Sequence, residues 1–173
     1  MRLFKLTILS MVLLIVVACG GWGGYVHKSD HFGYRIPFPV EWEVWDRSND
    51  VSDNLLGTIP SEPNAEIQVL AVKVALDINP HGVYMIFLEG GQDTFLYDQF
   101  RVSNQGTIHA KNAEGRSIEV QYINKGQSYR GIRAMFLGTG FTIEIKASAP
   151  AEKFALFKPV FKKMIGHLNI YKS

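Results

Sequence analysis

The 173-residue sequence holds one cysteine, Cys19, so no disulfide can staple the chain internally. With that thiol engaged elsewhere, thiolate metal clusters and Cys-His nucleophiles are excluded as well. The serine nucleophile pattern Gly-x-Ser-x-Gly is missing. Five histidines, His27, His31, His81, His109 and His167, are scattered, and none makes a His-Glu-x-x-His zinc pair. Charge of one sign is scarce too. The formal net charge of +2 comes from Arg2 and Lys5, and the remaining 16 Lys and Arg balance 16 Asp and Glu. The basic footprint of a nucleic-acid-binding protein is therefore lacking. Gly20–Gly24 has no Lys or Ser/Thr in the order a phosphate loop requires, and Gly138-Thr139-Gly140 is too short for one. Asp77 to Gly82 begins like a calcium loop, but its twelfth position is Leu88 where a bidentate Glu is needed, and Pro80 interrupts the ligands. A strand-to-helix turn capped by Asn79 accounts for it better. No cofactor, no metal site and no catalytic constellation are expected.

No apolar run is long enough to span a bilayer as a helix. Leu6 to Ala18 covers 13 residues, broken by Thr7 and Ser10, against the ~20 a spanning helix needs. Arg2 and Lys5 precede this run, and Val16-Val17-Ala18-Cys19 ends it. These are the parts of an export signal. The tetrad resembles the bacterial lipobox, whose Cys takes a diacylglycerol and becomes the mature N-terminus. Cys19 is therefore the expected lipidation site, labelled by palmitate. A plain signal peptide or an uncleaved anchor is the alternative, and each places the remainder outside the cytoplasm. Two or three acyl chains together anchor stably, at roughly 0.8 kcal/mol per buried methylene. Gly20, rather than Asp, follows Cys19, which in a Gram-negative host resembles the pattern sent to the outer membrane.

Taking 18 residues from 173 leaves 155, enough for one domain with a real core. The expected layout is a signal peptide over 1–18, a lipid-anchored flexible tether over 19–30 and one α+β domain over 31–173. Phe32 to Pro39 alternates and carries two prolines, which suits an edge strand. Leu55–Ile59 and Ala65–Leu76 read as strands on either side of a turn at Ser61–Asn64. Val83, Tyr84, Phe87, Leu88, Phe95 and Leu96 recur at helical spacing, with a break expected at Gly90-Gly91. Residues 100–148 read as an antiparallel meander turning at Asn112–Gly115, Asn124–Gly126 and Gly138–Gly140. Phe154, Phe157, Phe161, Met164 or Ile165, and Leu168 then mark one face of a C-terminal helix that Pro159 kinks or divides. The sum is an antiparallel sheet of six or seven strands flanked by helices, an α+β sandwich.

The opening Phe32-Gly33-Tyr34-x-Ile36-x-Phe38-Pro39-x-x-Trp42 and the closing Ala149-Pro150 with Phe154, Pro159, Phe161 and Ile165 resemble the PsbP-like superfamily, which also holds the Ran-binding Mog proteins. The resemblance covers roughly residues 30–170 and implies antiparallel sheets flanked by helices. For function it implies a non-catalytic binding domain, with no family binding residue carried over.

The resulting expectation is a membrane-anchored envelope lipoprotein that binds or assembles an envelope protein partner and binds no nucleic acid. The alternative is a carrier of a small apolar ligand, held between sheet and helix. Tyr97, Tyr122 and Tyr129 could line an interface or a pocket. Trp42, Trp45, Phe87, Phe95 and Phe157 read as core. The run Lys153, Lys158, Lys162, Lys163 and Lys172 is either a solvated helix face or a contact with anionic lipid headgroups.

Overall fold

Period-two alternation builds most of this molecule, and the computed structural model describes residues 24–75 and 79–171. The element order is β1 (Val26–Ser29), β2 (Tyr34–Pro37), β3 (Glu43–Asp46), β4 (Ser52–Ile59), β5 (Glu62–Lys73), α1 (Pro80–Leu88), α2 (Asp93–Leu96), β6 (Asp98–His109), β7 (Glu114–Asn124), β8 (Gln127–Gly138), β9 (Phe141–Pro150), α3 (Phe154–His167) and β10 (Asn169–Ile170). Seven strands form an antiparallel sheet in the order β3-β4-β5-β9-β8-β7-β6. The expected α+β architecture is thus the observed one, with a second, three-stranded sheet β1-β2-β10 added to it.

That second sheet corrects two expectations. Residues 26–29, assigned to the tether, are strand β1, paired residue for residue with Pro37 back to Tyr34. Its inward positions are His27 and Ser29, both buried and both polar, so no hydrophobic alternation announced the strand. β2 is also central rather than an edge, flanked by β1 and β10. Pro37 is tolerated there because it is the last residue of the strand, where a missing N–H breaks no interior ladder bond. β10 is two residues long, and Asn112 holds it from outside the sheet. The Asn112 Nδ2 donates to the Ile170 carbonyl, and the Ile170 N–H donates to Asn112 Oδ1 at 3.0 Å.

The seven-stranded sheet has an inner and an outer face. On the inner face Ile132, Ala134 and Phe136 of β8 and Ile143, Ile145 and Ala147 of β9 meet Phe154, Phe157, Phe161 and Met164 of α3, together with Tyr34 and Ile36 of β2. This is the main core, each large apolar side chain contributing about 1.5–3 kcal/mol by leaving water. α3 is a single helix despite Pro159 inside it. The carbonyl that Pro159 leaves unbonded is that of Ala155, and both residues lie on the exposed side, where water satisfies it.

The outer face is covered only in part. α1 lies over β7 and β8, where Phe87 packs on Ile118, Val120 and Tyr122, and α2 packs beside β6. Asn79 caps α1, its Oδ1 accepting from the His81 N–H at 3.0 Å, as the sequence led one to expect. The helix ends in a Schellman turn. Gly90 N–H donates to the Phe87 carbonyl and Gly91 N–H to the Ile86 carbonyl, with φ of 98° and 54° at the two glycines. Two positive φ values in succession explain why the sequence places a glycine pair here.

Candidate functional site

Of the residues singled out from the sequence, Cys19 and the start of the Asp77 loop lie outside the described residues. Among the described residues, no group of three or more His, Cys, Asp or Glu is placed to hold a metal ion. Four of the five histidines are exposed, and the exception is His27. Its Nε2 lies 3.4 Å from Asp53 Oδ2 and its Nδ1 3.3 Å from Asp46 Oδ2, tying β1 to β3 and β4. Burial pushes the Asp53 carboxyl up, but His27, Ser29 and Tyr34 outweigh it and hold the group below its usual range. This cluster joins the small sheet to the large one. The lysine run is dispersed: Lys153 pairs with Glu62 and Lys158 with Glu119, 2.6 Å away, so two of its members bind the helix to the sheet.

Three expectations about aromatics resolve differently. Trp42, Phe87 and Phe157 are buried, whereas Trp45 is 44 % and Phe95 91 % exposed. Phe95 departs from core because α2 is one turn long and turns that side chain away from the sheet. The tyrosines do come together. Tyr122 lies between Tyr97, 4.3 Å away centroid to centroid, and Tyr129, at 5.5 Å and 9° from parallel. The latter pair face each other in register across β7 and β8. Tyr122 and Tyr129 line a polar hollow of about 300 Å³ with Asn64, Glu66 and Lys125. Burial pushes the Tyr122 hydroxyl up to about 12.

The more consequential group is one the sequence did not single out. On the outer face Arg133 of β8 stands opposite Lys146 of β9 and Ile118 of β7. Asp93, the first residue of α2, reaches down to both cations. Arg133 Nε and Lys146 Nζ are each 3.0 Å from its carboxylate oxygens. Glu144 completes a quartet, 3.6 Å from Lys146 Nζ. Burial pushes the Glu144 carboxyl above its ordinary value, more strongly than Lys146 and Arg133 pull it down. Arg133 and Asp93 are each 3 % exposed. The Arg133 guanidinium also lies 5.8 Å from the Tyr122 ring centroid. Its contact with Asp93 has the distance of an ion pair but not the angle of a hydrogen bond, and neither Nε nor Nη2 has a hydrogen-bond partner among the described residues.

Beside this quartet lies a hollow of about 250 Å³ between α1–α2 and the sheet. Arg133, Lys146, Asp93 and Glu144 line it, as do Leu70, Val83, Phe87, Ile118 and Met135, and Gly90 and Gly91 form part of its wall. The arrangement is an apolar recess with a charged floor. It can bind and orient a molecule. One sequence signal could have found it: in β8 the phase opposite Ile132, Ala134 and Phe136 carries Arg133 and Met135, an odd pairing for a solvent face.

No family model matches the sequence, and no curated protein matches it. Solved structures do. CyanoP, the PsbP of the cyanobacterium Synechocystis, superposes with a TM-score of 0.66 at 17 % identity, over 88 % of this chain and 97 % of that one. LpqN, described as involved in cell envelope biogenesis of Mycobacterium tuberculosis, gives 0.60 at 16 % identity over 87 % of each chain. The Ran-binding protein Mog1p of Saccharomyces cerevisiae gives 0.56 at 9 % identity, over 88 % of this chain and 97 % of that one. The chain carries a PsbP/Mog-like fold domain.

Proposed function

We propose that this chain is a membrane-anchored envelope lipoprotein whose PsbP/Mog-like domain binds an envelope protein as an assembly module, without catalysing a reaction. The observation that carries this is the surface of α1–α2. Ile86, Phe95 and Leu96 are 66 %, 91 % and 67 % exposed on neighbouring short helices, and Met85 is exposed beside them. Large apolar side chains grouped on so small an element mark an interaction surface, since water opposes their exposure. The charge around them selects the occupant. Between Lys73 and Arg101 there is no Lys or Arg, and the carboxylates Glu89 and Asp98 are exposed there. Such a surface is repelled by anionic lipid and fits a protein with an apolar cleft rimmed by basic residues. Support from the fold is general: a Ran-binding protein and a protein of envelope biogenesis share it. The anchor at Cys19 rests on the residues entering that position.

The test is a photoreactive phenylalanine analogue placed at residue 95 and, as a control on the far side, at Leu156 of α3. Position 95 is expected to crosslink one envelope protein, with a yield that falls as salt rises, while position 156 yields nothing comparable. Crosslinks from position 95 to lipid or to a second copy of this chain overturn the docking assignment. Radioactive palmitate should label the wild-type chain and not Cys19→Ala; an unlabelled wild type removes the anchor.

A second reading, a carrier of a small apolar ligand, draws support from the apolar walls of the 250 Å³ hollow.

A further inference from the structure

We propose that the hollow beneath α1 and α2 is a binding site for a small amphipathic carboxylate, its headgroup held by Arg133 and Lys146 and its hydrocarbon part against Phe87, Ile118 and Met135. This rests on the carrier reading and goes beyond it by assigning the ligand a headgroup and a charge.

Arg133 supplies the main reason. A guanidinium offers five N–H donors in a fixed fork. This one is 3 % exposed and has Asp93 as its ion-pair partner, yet Nε and Nη2 donate to nothing among the described residues. Buried donors are nearly always satisfied, because an unpaired one gives up its bond to water and gains none in return. The Tyr122 face offsets part of the charge but accepts no well-formed hydrogen bond. Arg133 lines the hollow, and although Nε and Nη2 are closed off from it, a turn of the guanidinium away from Tyr122 brings these undonated N–H groups to a ligand there. A carboxylate is planar and matches the fork.

The remaining chemistry narrows the class. Lys146 adds a second cation, and Asp93 and Glu144 supply two carboxylates, so the quartet is formally neutral. A dianion such as phosphate would face both carboxylates at close range, and a metal cation would face Arg133 and Lys146. A monoanion asks least of the site. Burial raises the Glu144 carboxyl above its ordinary value, and an incoming anion beside it raises it further. The walls then select a tail. Phe87, Ile118 and Met135 are apolar and Val83 lies at the side, so a purely polar ion leaves them exposed. A volume of about 250 Å³ limits the tail to a short chain or one ring.

The experiment uses the full chain in lipid nanodiscs with ¹³C-methyl methionine. Met135 lines the hollow, while Met164 sits in the main core and serves as the internal reference. Hexanoate is titrated, with 1-hexanol and inorganic phosphate in parallel. The expected result is a saturable shift of the Met135 methyl with hexanoate, none at Met164, and binding of hexanol at least tenfold weaker. Arg133→Gln should weaken hexanoate by roughly ten- to a hundredfold while leaving hexanol unchanged, which is the loss of a hydrogen bond to a charged group. If that variant does not fold, Val83→Trp fills the recess without touching the quartet and should abolish both responses. Equal binding of hexanoate and hexanol refutes the headgroup assignment and leaves the carrier reading standing. No response to either removes both. A shift with phosphate alone, unaffected by Val83→Trp, refutes the site.

Discussion

Asp93 is where the outer face is most exposed to a single substitution. Its carboxylate is 3 % exposed and lies 3.0 Å from each of two cations, one of them a buried guanidinium. Asp93→Ala removes the partner and leaves Arg133 uncompensated at the same depth. Breaking a buried pair in this way costs about 3–5 kcal/mol. In a domain of this size each kcal/mol moves Tm by about 2–4 °C, so the expected fall is about 6–20 °C. The sign of the companion experiment differs. Taking out both charges with Asp93→Ala and Arg133→Met should cost less than Asp93→Ala alone, because an apolar side chain replaces a stranded cation, and Lys146, 21 % exposed at its side chain, can turn toward water. Thermal and urea unfolding of the wild type, both single variants and the double variant form the cycle. If Asp93→Ala costs under about 1 kcal/mol, or the double variant costs the sum of the singles, the pair behaves as a surface ion pair. The account of a dehydrated charged floor then fails.

Three further expectations follow from the same geometry. Gly90→Ala places a Cβ 2.5 Å from Phe100 Cε1 at a φ of 98°, so it should cost at least about 1–2 kcal/mol and loosen α2, seen as faster hydrogen exchange at Tyr97; unchanged exchange refutes the strained turn. Glu144 has a folded pKa raised above its ordinary 4.5, chiefly by burial, so its contribution to stability is full below 4.5 and is lost as pH rises through the folded value. Glu144→Gln should therefore gain on the wild type between pH 4.5 and 7.5 in urea unfolding, and a difference independent of pH would count against the shift. Asn112→Ala removes both hydrogen bonds to Ile170 and should cost about 1–3 kcal/mol, with Ile170 exchanging faster than Ile145; equal protection of Ile170 before and after would show that β10 does not depend on Asn112.

Local pattern carried most of the architecture. The strand runs 115–123, 129–137 and 141–148 alternate with period two and lie within β7, β8 and β9, because alternation is the imprint of a sheet with differing faces. Glycines at 90 and 91 ended α1, and Asn79 began it, since each supplies a backbone conformation or an acceptor that few other residues offer. The apolar stripe of α3 named its buried face, offering Met164 or Ile165 where the structure buries both. What the pattern could not carry was pairing between distant segments. β1 and β10 have no apolar rhythm of their own and exist as strands only because β2 lies between them.

The same division holds for the candidate site. The sequence by itself determined the α+β class and most strands of the large sheet, the neutral charge outside residues 1–18 and the want of familiar catalytic motifs, all of which depend on residues near one another or on totals. It did not determine that Asp93 would meet Lys146, 53 positions later, or that Arg133 would lose its contact with water. Periodicity fixes which side chains share a face, while only the packing of α1 and α2 over one half of that face decides which charges are dehydrated and where a recess remains.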